Sequence, residues 1–182
     1  MRRIVLAAMA VALGGAGPAT MGPDQETWLA GIVDQFSAAH EAAPNDMAKG
    51  LVRHQRATSL CGGTSAVKRD KGTVTDWEGT VETLDSTNDG RGILTLRIAP
   101  HVTLGTTNNA LSEMVGPEKT LIALDTPLYR AAVALRIGQK VRFSGHFFPS
   151  KDDCLKEMSL TPAGGMTDPD FLFAFTALTP AD

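Results

Sequence analysis

The sequence predicts a mainly β fold that carries a short helical N-terminal segment. Three observations predict it. Apolar residues recur at helical spacing as far as about Ala57, and at spacing two from Thr73 onward. Turn signals such as Asn88-Asp89-Gly90 cut the second region into short runs. The helix opener Thr126-Pro127 interrupts those runs, with Thr at the cap and Pro at the first helical position.

The helical part spans residues 24–58. Asp24 to Ala39 reads as a helix that Asp24 can cap, with Trp28, Leu29, Ile32, Val33 and Phe36 on one stripe. Pro44 interrupts, and Asn45 or Asp46 can cap a second helix running to about Ala57. Lys49, Arg53 and Arg56 lie four and three apart and share a face, with His54 beside them and Lys68, Arg69 and Lys71 in the next loop. That stripe is a candidate contact for an anionic surface or partner. The same pattern also fits an ordinary solvated helix face.

The β part spans residues 73–179. Val74 to Leu84 reads as a strand with Trp77, Gly79, Val81 and Thr83 on one face and Glu78, Thr80 and Glu82 on the other. Ile93 to Ala99 places Leu94, Leu96 and Ile98 opposite Thr95 and Arg97. Pro100 marks a bend, and Val102 to Thr106 continues the alternation. Thr107 to Pro117 reads as loop and Thr120 to Leu124 as a short strand. The Thr126-Pro127 helix runs through Leu128, Ala131, Ala132 and Leu135 and closes at Gly138. Lys140 to Phe148 alternates Val141, Phe143, Gly145 and Phe147. Cys154 to Leu160 reads as a strand and Pro162 to Asp170 as a Gly/Pro loop. The last strand, Phe171 to Leu178, carries Phe171, Phe173 and Phe175 on one face.

A length of 182 residues suits one ordinary domain, or a small one with appendages. With 43% hydrophobic and 20% charged residues, the composition is that of a folding chain. Met1-Arg2-Arg3, the apolar stretch Ile4 to Leu13 and the small-residue run Gly14 to Ala19 follow the grammar of a secretory signal peptide, expected over residues 1–21. The formal charge is −3, and cleavage after Met21 would leave 15 basic against 20 acidic residues. That balance disfavours a general polyanion binder. No apolar run reaches the roughly 18–20 residues of a membrane span, so no transmembrane segment is expected after cleavage.

Cys61 and Cys154 are the two cysteines, and in an exported protein an isolated pair is most simply a disulfide. So long a loop contributes on the order of 4 kcal/mol. Two separate thiols are the other possibility. His40, His54, His101 and His146 are scattered without ligand spacing, so neither a metal nor a cofactor is expected.

Two passages carry a resemblance. Trp77-Glu78-Gly79-Thr80-Val81 looks like a first barrel strand coiled at an inward glycine. Leu135-Arg136-Ile137-Gly138-Gln139-Lys140-Val141-Arg142-Phe143-Ser144-Gly145 looks like the helix exit and fourth strand of the same architecture. Together with three strands before the helix and two after it, the chain resembles an OB-fold, the oligonucleotide/oligosaccharide-binding Greek-key barrel, and small secreted bacterial proteins that have this core. The resemblance implies a ligand face on the second and third strands, flanked by the loops after the first and fourth. In this chain that face would comprise Arg91, Thr95, Arg97, His101, Thr103, Asn108 and Lys151.

The chemistry of that face argues against nucleic acid. Gly90 to Thr107 contains no Phe, Tyr or Trp, whereas single strands need aromatic platforms in a basic groove. No catalytic constellation is legible either. Ser144 lacks a nucleophile-elbow setting, Asp152 and Asp153 are adjacent and point apart on an extended chain, and Gly62-Gly63-Thr64-Ser65 lacks the lysine of a phosphate loop. Cys61 would be a nucleophile only if free. The expectation is a non-catalytic binding or scaffolding module of the bacterial cell envelope, periplasmic or secreted, whose partner is a protein, peptide or glycan. The alternative is a cytoplasmic OB protein that binds single-stranded nucleic acid, with the Lys49 to Lys71 cluster as its best feature.

Overall fold

Pro23 sits at the first position of an α-helix, where its missing N–H is no loss. Helix α1 therefore spans Pro23–Glu41, and Asp24 falls inside its first turn rather than at its cap. The computed structural model describes residues 23–62 and 72–181. The expected leader, the loop basics Lys68, Arg69 and Lys71, and Gly63 to Ser65 lie outside the described residues. Leu29, Val33, Phe36 and His40 form the buried stripe of α1. Helix α2, Asp46–Cys61, is capped by Asn45, whose side chain accepts from the Ala48 N–H at 3.0 Å.

Five strands follow the spacing-two pattern: β1 Thr73–Ser86, β2 Gly92–Ala99, β3 Val102–Gly105, β4 Lys140–Phe147 and β7 Asp170–Pro180. Between the last two, β5 Pro149–Ser150 and β6 Cys154–Leu155 make a small hairpin. The five strands form a mixed sheet in the order β1-β2-β3-β7-β4, and β4 pairs back onto β1, so the hydrogen bonding runs as a ring. All pairings are antiparallel except β3 with β7.

Alternation puts Val141, Phe143, Gly145 and Phe147 inside, as expected, with Phe171, Phe173 and Phe175. Their rings meet edge to face: Phe143 and Phe173 lie 5.7 Å apart, Phe147 and Phe173 5.0 Å. On β1, Val74 and Trp77 both face inward although they are three positions apart, an odd spacing on a strand. The register shifts between them, and Asp76 takes a left-handed φ of 58°. Gly145 is the glycine the core requires. A Cβ there would lie 2.2 Å from the Ala174 carbonyl oxygen and 2.3 Å from the Phe173 ring. At Gly79 the nearest atoms would be 3.3 Å away.

Four segments differ from expectation. The 107–117 loop contains helix α3, Ala110–Val115, capped by Asn109. Thr120 to Leu124 makes one bridge, Gly92 to Ile122, because Glu113 takes the neighbouring N–H groups of Thr120 and Leu121. Helix α4, Pro127–Val133, opens at Thr126 as expected. Only Cys154–Leu155 of the expected 154–160 strand belongs to a ladder. Beyond it, the Lys156 N–H donates to Phe148 and the Met158 N–H to Asp170, filling the gap between β4 and β7. The expected 162–170 loop contains helix α5, Pro162–Thr167. Among the described residues helix and strand thus contribute 35% each, a larger helical share than a short N-terminal segment supplies.

Among the described residues no helix is long and apolar enough to cross a membrane. Cys61 and Cys154 are bonded, with Sγ–Sγ 1.96 Å and Cα–Cα 5.6 Å. This removes Cys61 as a free nucleophile and ties the end of α2 to β6.

Candidate functional site

The basic stripe on α2 is turned toward the protein. Arg53 donates to Asp153 through two bonds, Nε to Oδ1 and Nη2 to Oδ2, each 2.6 Å. Arg56 is 1% exposed. Its Nη1 donates to the Gly165 carbonyl at 2.5 Å and its Nη2 to Glu157. The hydrogen bonds and charge of Arg53 hold the Asp153 carboxyl below its ordinary range. Burial pushes Glu157 up, against the opposing pull of Arg56. Arg56 therefore cannot serve an anionic partner surface: two acids on the β4–β7 connection neutralise and cover this part of the stripe. Lys49, four residues earlier on α2, stays accessible, and Asp46 at 4.0 Å is its ion-pair partner.

The expected β2–β3 face is also largely spent on internal bonds. Arg97 bonds Glu82 and donates to the Pro100 carbonyl at 2.7 Å. Thr103 donates to Asp170 at 3.0 Å, and burial raises that carboxyl. Arg91 donates to Asp89 at 3.0 Å and to Glu113 at 2.6 Å, pinning the β1–β2 turn to α3. Thr95 stands across the ladder from Gly105. The Met158 methyl lies where a Cβ on Gly105 would meet it at 3.3 Å, so the chain after β6 overlies β3. His101 belongs to a separate groove with Asp34, Glu41 and Asp168. Lys151 stands exposed on the β5–β6 turn. Of the seven expected residues, Asn108 alone lines the cleft described next.

The open site lies beside that face, where the β3–α4 and β4–β7 connections converge. It is a cleft of about 470 Å³ lined by Thr107, Asn108, Ser112, Gly116 and Glu118 on one side and Lys156, Met158, Leu160 and Leu172 on the other. Lys156 and Glu118 bridge the two sides at 2.8 Å, and this bond holds the Glu118 carboxyl below its ordinary range. Leu160 is fully exposed at the rim, and α3 exposes Leu111 and Met114 as well. No aromatic ring lines the cleft. Asn108 and Ser112 supply hydrogen-bonding groups, while the lysine and the acid cancel. Such a lining suits an uncharged chain with apolar side groups.

A second hollow of about 420 Å³ separates α4 from the β1–β2 hairpin. Its Tyr129 hydroxyl already donates to the Gly90 carbonyl at 3.1 Å. Among the described residues no group of three or more His, Cys, Asp or Glu could hold a metal ion. Compared with known proteins, the chain matches no family model, no curated protein and no solved structure.

Proposed function

We propose that this protein is an exported, OB-like binding module that holds a peptide segment in the cleft between α3 and the chain after β6. The OB-like reading draws support from a five-strand ring with a helix between the third and fourth strands, and from a last strand returning beside the third. Export draws support from the leader-like N-terminus and from the disulfide. The observation that carries the ligand class is the cleft itself: a mixed polar and apolar lining, a fully exposed Leu160, and no ring or unpaired cation. Nucleic acid fits it poorly, because bases need stacking faces and phosphates need unpaired cations.

The test is to pan displayed linear peptides against the oxidised protein and re-measure the enriched sequences on Leu160→Arg and Asn108→Ala variants. Both residues are exposed, so both variants should fold. The reading expects binding that weakens about tenfold or more in Leu160→Arg, the loss of one buried apolar side chain. If no peptide is enriched, or if the enriched peptides bind Leu160→Arg equally well, the peptide cleft is wrong. An oligothymidylate that binds at physiological salt would instead favour the nucleic-acid alternative.

A further inference from the structure

We propose that Cys61 is a thiol-exchange site: an incoming thiolate opens the Cys61–Cys154 bond by attacking the Cys61 sulfur, and the five-strand ring stays folded meanwhile. Two independent features distinguish the ends of this bond. Cys61 is the last residue of α2 and is exposed, whereas Cys154 is 5% exposed. Cys154 also takes a left-handed φ of 69°, a conformation in which a Cβ crowds the backbone. Exposed disulfides and strained ones are those that exchange with thiols most readily. Here one end supplies the access and the other the strain.

Charge points the same way. Attack at Cys154 would leave a negative charge on Cys61, at the C-terminal end of a 16-residue helix, where unpaired carbonyls disfavour it. In the proposed step the thiolate forms a bond to Cys61 Sγ and the Cys61–Cys154 bond breaks. Its electron pair leaves on Cys154 Sγ, which takes a proton from water. The second thiolate of a dithiol reductant then attacks the reductant's own sulfur in the mixed disulfide, and Cys61 departs and is protonated. The dithiol is oxidised to a disulfide and the protein's bond is reduced, two electrons in all. The helix end slows that departure of Cys61, so the mixed disulfide is the species to trap. The opened form keeps a way back. Arg53 still holds Asp153, the neighbour of Cys154, through two bonds of 2.6 Å, and Arg56 still holds Glu157. The hairpin therefore stays beside α2, and the bond re-forms once the reductant is gone. The ring of β1, β2, β3, β7 and β4 includes neither cysteine, so exchange is local to the junction of α2 with β6. No step uses the peptide cleft, and the exchange stands or falls apart from peptide binding.

The test exposes the oxidised protein briefly to reduced glutathione at neutral pH, quenches with N-ethylmaleimide and maps both tags by mass spectrometry after trypsin. Cys61 and Cys154 fall in different tryptic peptides, so the tags are assigned without ambiguity. A parallel arm uses a dithiol oxidoreductase whose resolving cysteine is replaced by serine, which stops it at the mixed disulfide. The expected result is about tenfold or more adduct on Cys61 than on Cys154. Its rate should rise linearly with thiolate and stay unchanged at urea concentrations below the unfolding transition. Faster capture by the oxidoreductase, thiol for thiol, assigns a protein reductant, and faster capture by glutathione a small thiol. The proposal is overturned if the adduct divides evenly between the cysteines or falls on Cys154. It is equally overturned if the folded protein gives no adduct, or if exchange proceeds only as fast as urea unfolds the ring.

Discussion

Replacing Cys61 and Cys154 together by serine should lower stability by about 3 kcal/mol. The disulfide closes a loop of 93 residues. In the chain-entropy model a loop of that length is worth about 4.6 kcal/mol, because the open chain regains the freedom that the bridge removed. One structural term works the other way. Cys154 sits at a left-handed φ of 69°. A non-glycine residue in that region carries roughly 1–2 kcal/mol of steric strain. Without the bond β6 can relax, returning that amount and leaving a net loss near 3 kcal/mol. For a chain of this size, that corresponds to a fall in Tm of roughly 6–12 °C. Urea denaturation of the parent and the double-serine variant, analysed with a common m-value, measures it directly. A difference under about 1 kcal/mol would refute the reasoning, since it would mean that the ion pairs of α2 alone constrain the unfolded chain or hold the docked state.

Three further outcomes follow from the packing. Gly145→Ala should destabilise by about 3 kcal/mol or more, because its Cβ would meet backbone oxygen and a packed ring, whereas Gly79→Ala should lose under about 1.5 kcal/mol; parallel thermal melts compare them. Arg56→Ala should lose about 3–5 kcal/mol by leaving Glu157 buried without its partner, and adding Glu157→Leu should recover most of it, which a double-mutant cycle reads. Asp153, held below its ordinary range by Arg53, contributes stability above the unfolded carboxylate pKa that disappears as pH falls through the folded value; Asp153→Asn should flatten the acid limb of a stability–pH curve.

Strands β1 and β4 were legible because each has one buried face. Val141, Phe143 and Phe147 alternate with polar residues, and so do Trp77, Gly79 and Val81, so burial and sequence share one period. The six-residue helices α3 and α5 were not, since neither is long enough to show a recurring apolar stripe. Their caps were nevertheless written in the chain. Thr161-Pro162 repeats the Thr126-Pro127 signal that opens α4. The reading of Arg56 failed for a different reason. On the helix it belongs to a basic stripe that looks solvated. The acids that bury it, Asp153 and Glu157, lie about 100 residues further on, beyond any local pattern. The expected β2–β3 face is overlaid for the same reason: nothing in Lys156 to Leu160 announces that Met158 folds back over Gly105.

The connection from β4 to β7 supplies most of one wall of the proposed peptide cleft. Its backbone has little support of its own. The β5–β6 hairpin pairs only Pro149 with Leu155 and Ser150 with Cys154, and a hairpin that short is marginal by itself. What fixes it is α2, through the Cys61–Cys154 bond and the ion pairs of Arg53 and Arg56. The same connection supplies Lys156, Met158 and Leu160 to the cleft. The N-terminal helices therefore serve as the brace that shapes one wall of that cleft. Reducing the disulfide should loosen that wall before the five-strand ring unfolds, because β1 to β4 and β7 close on one another without it. On the proposed reading, peptide binding then depends on the bond: where it cannot persist, the ring would remain but the cleft beside it would lose its shape.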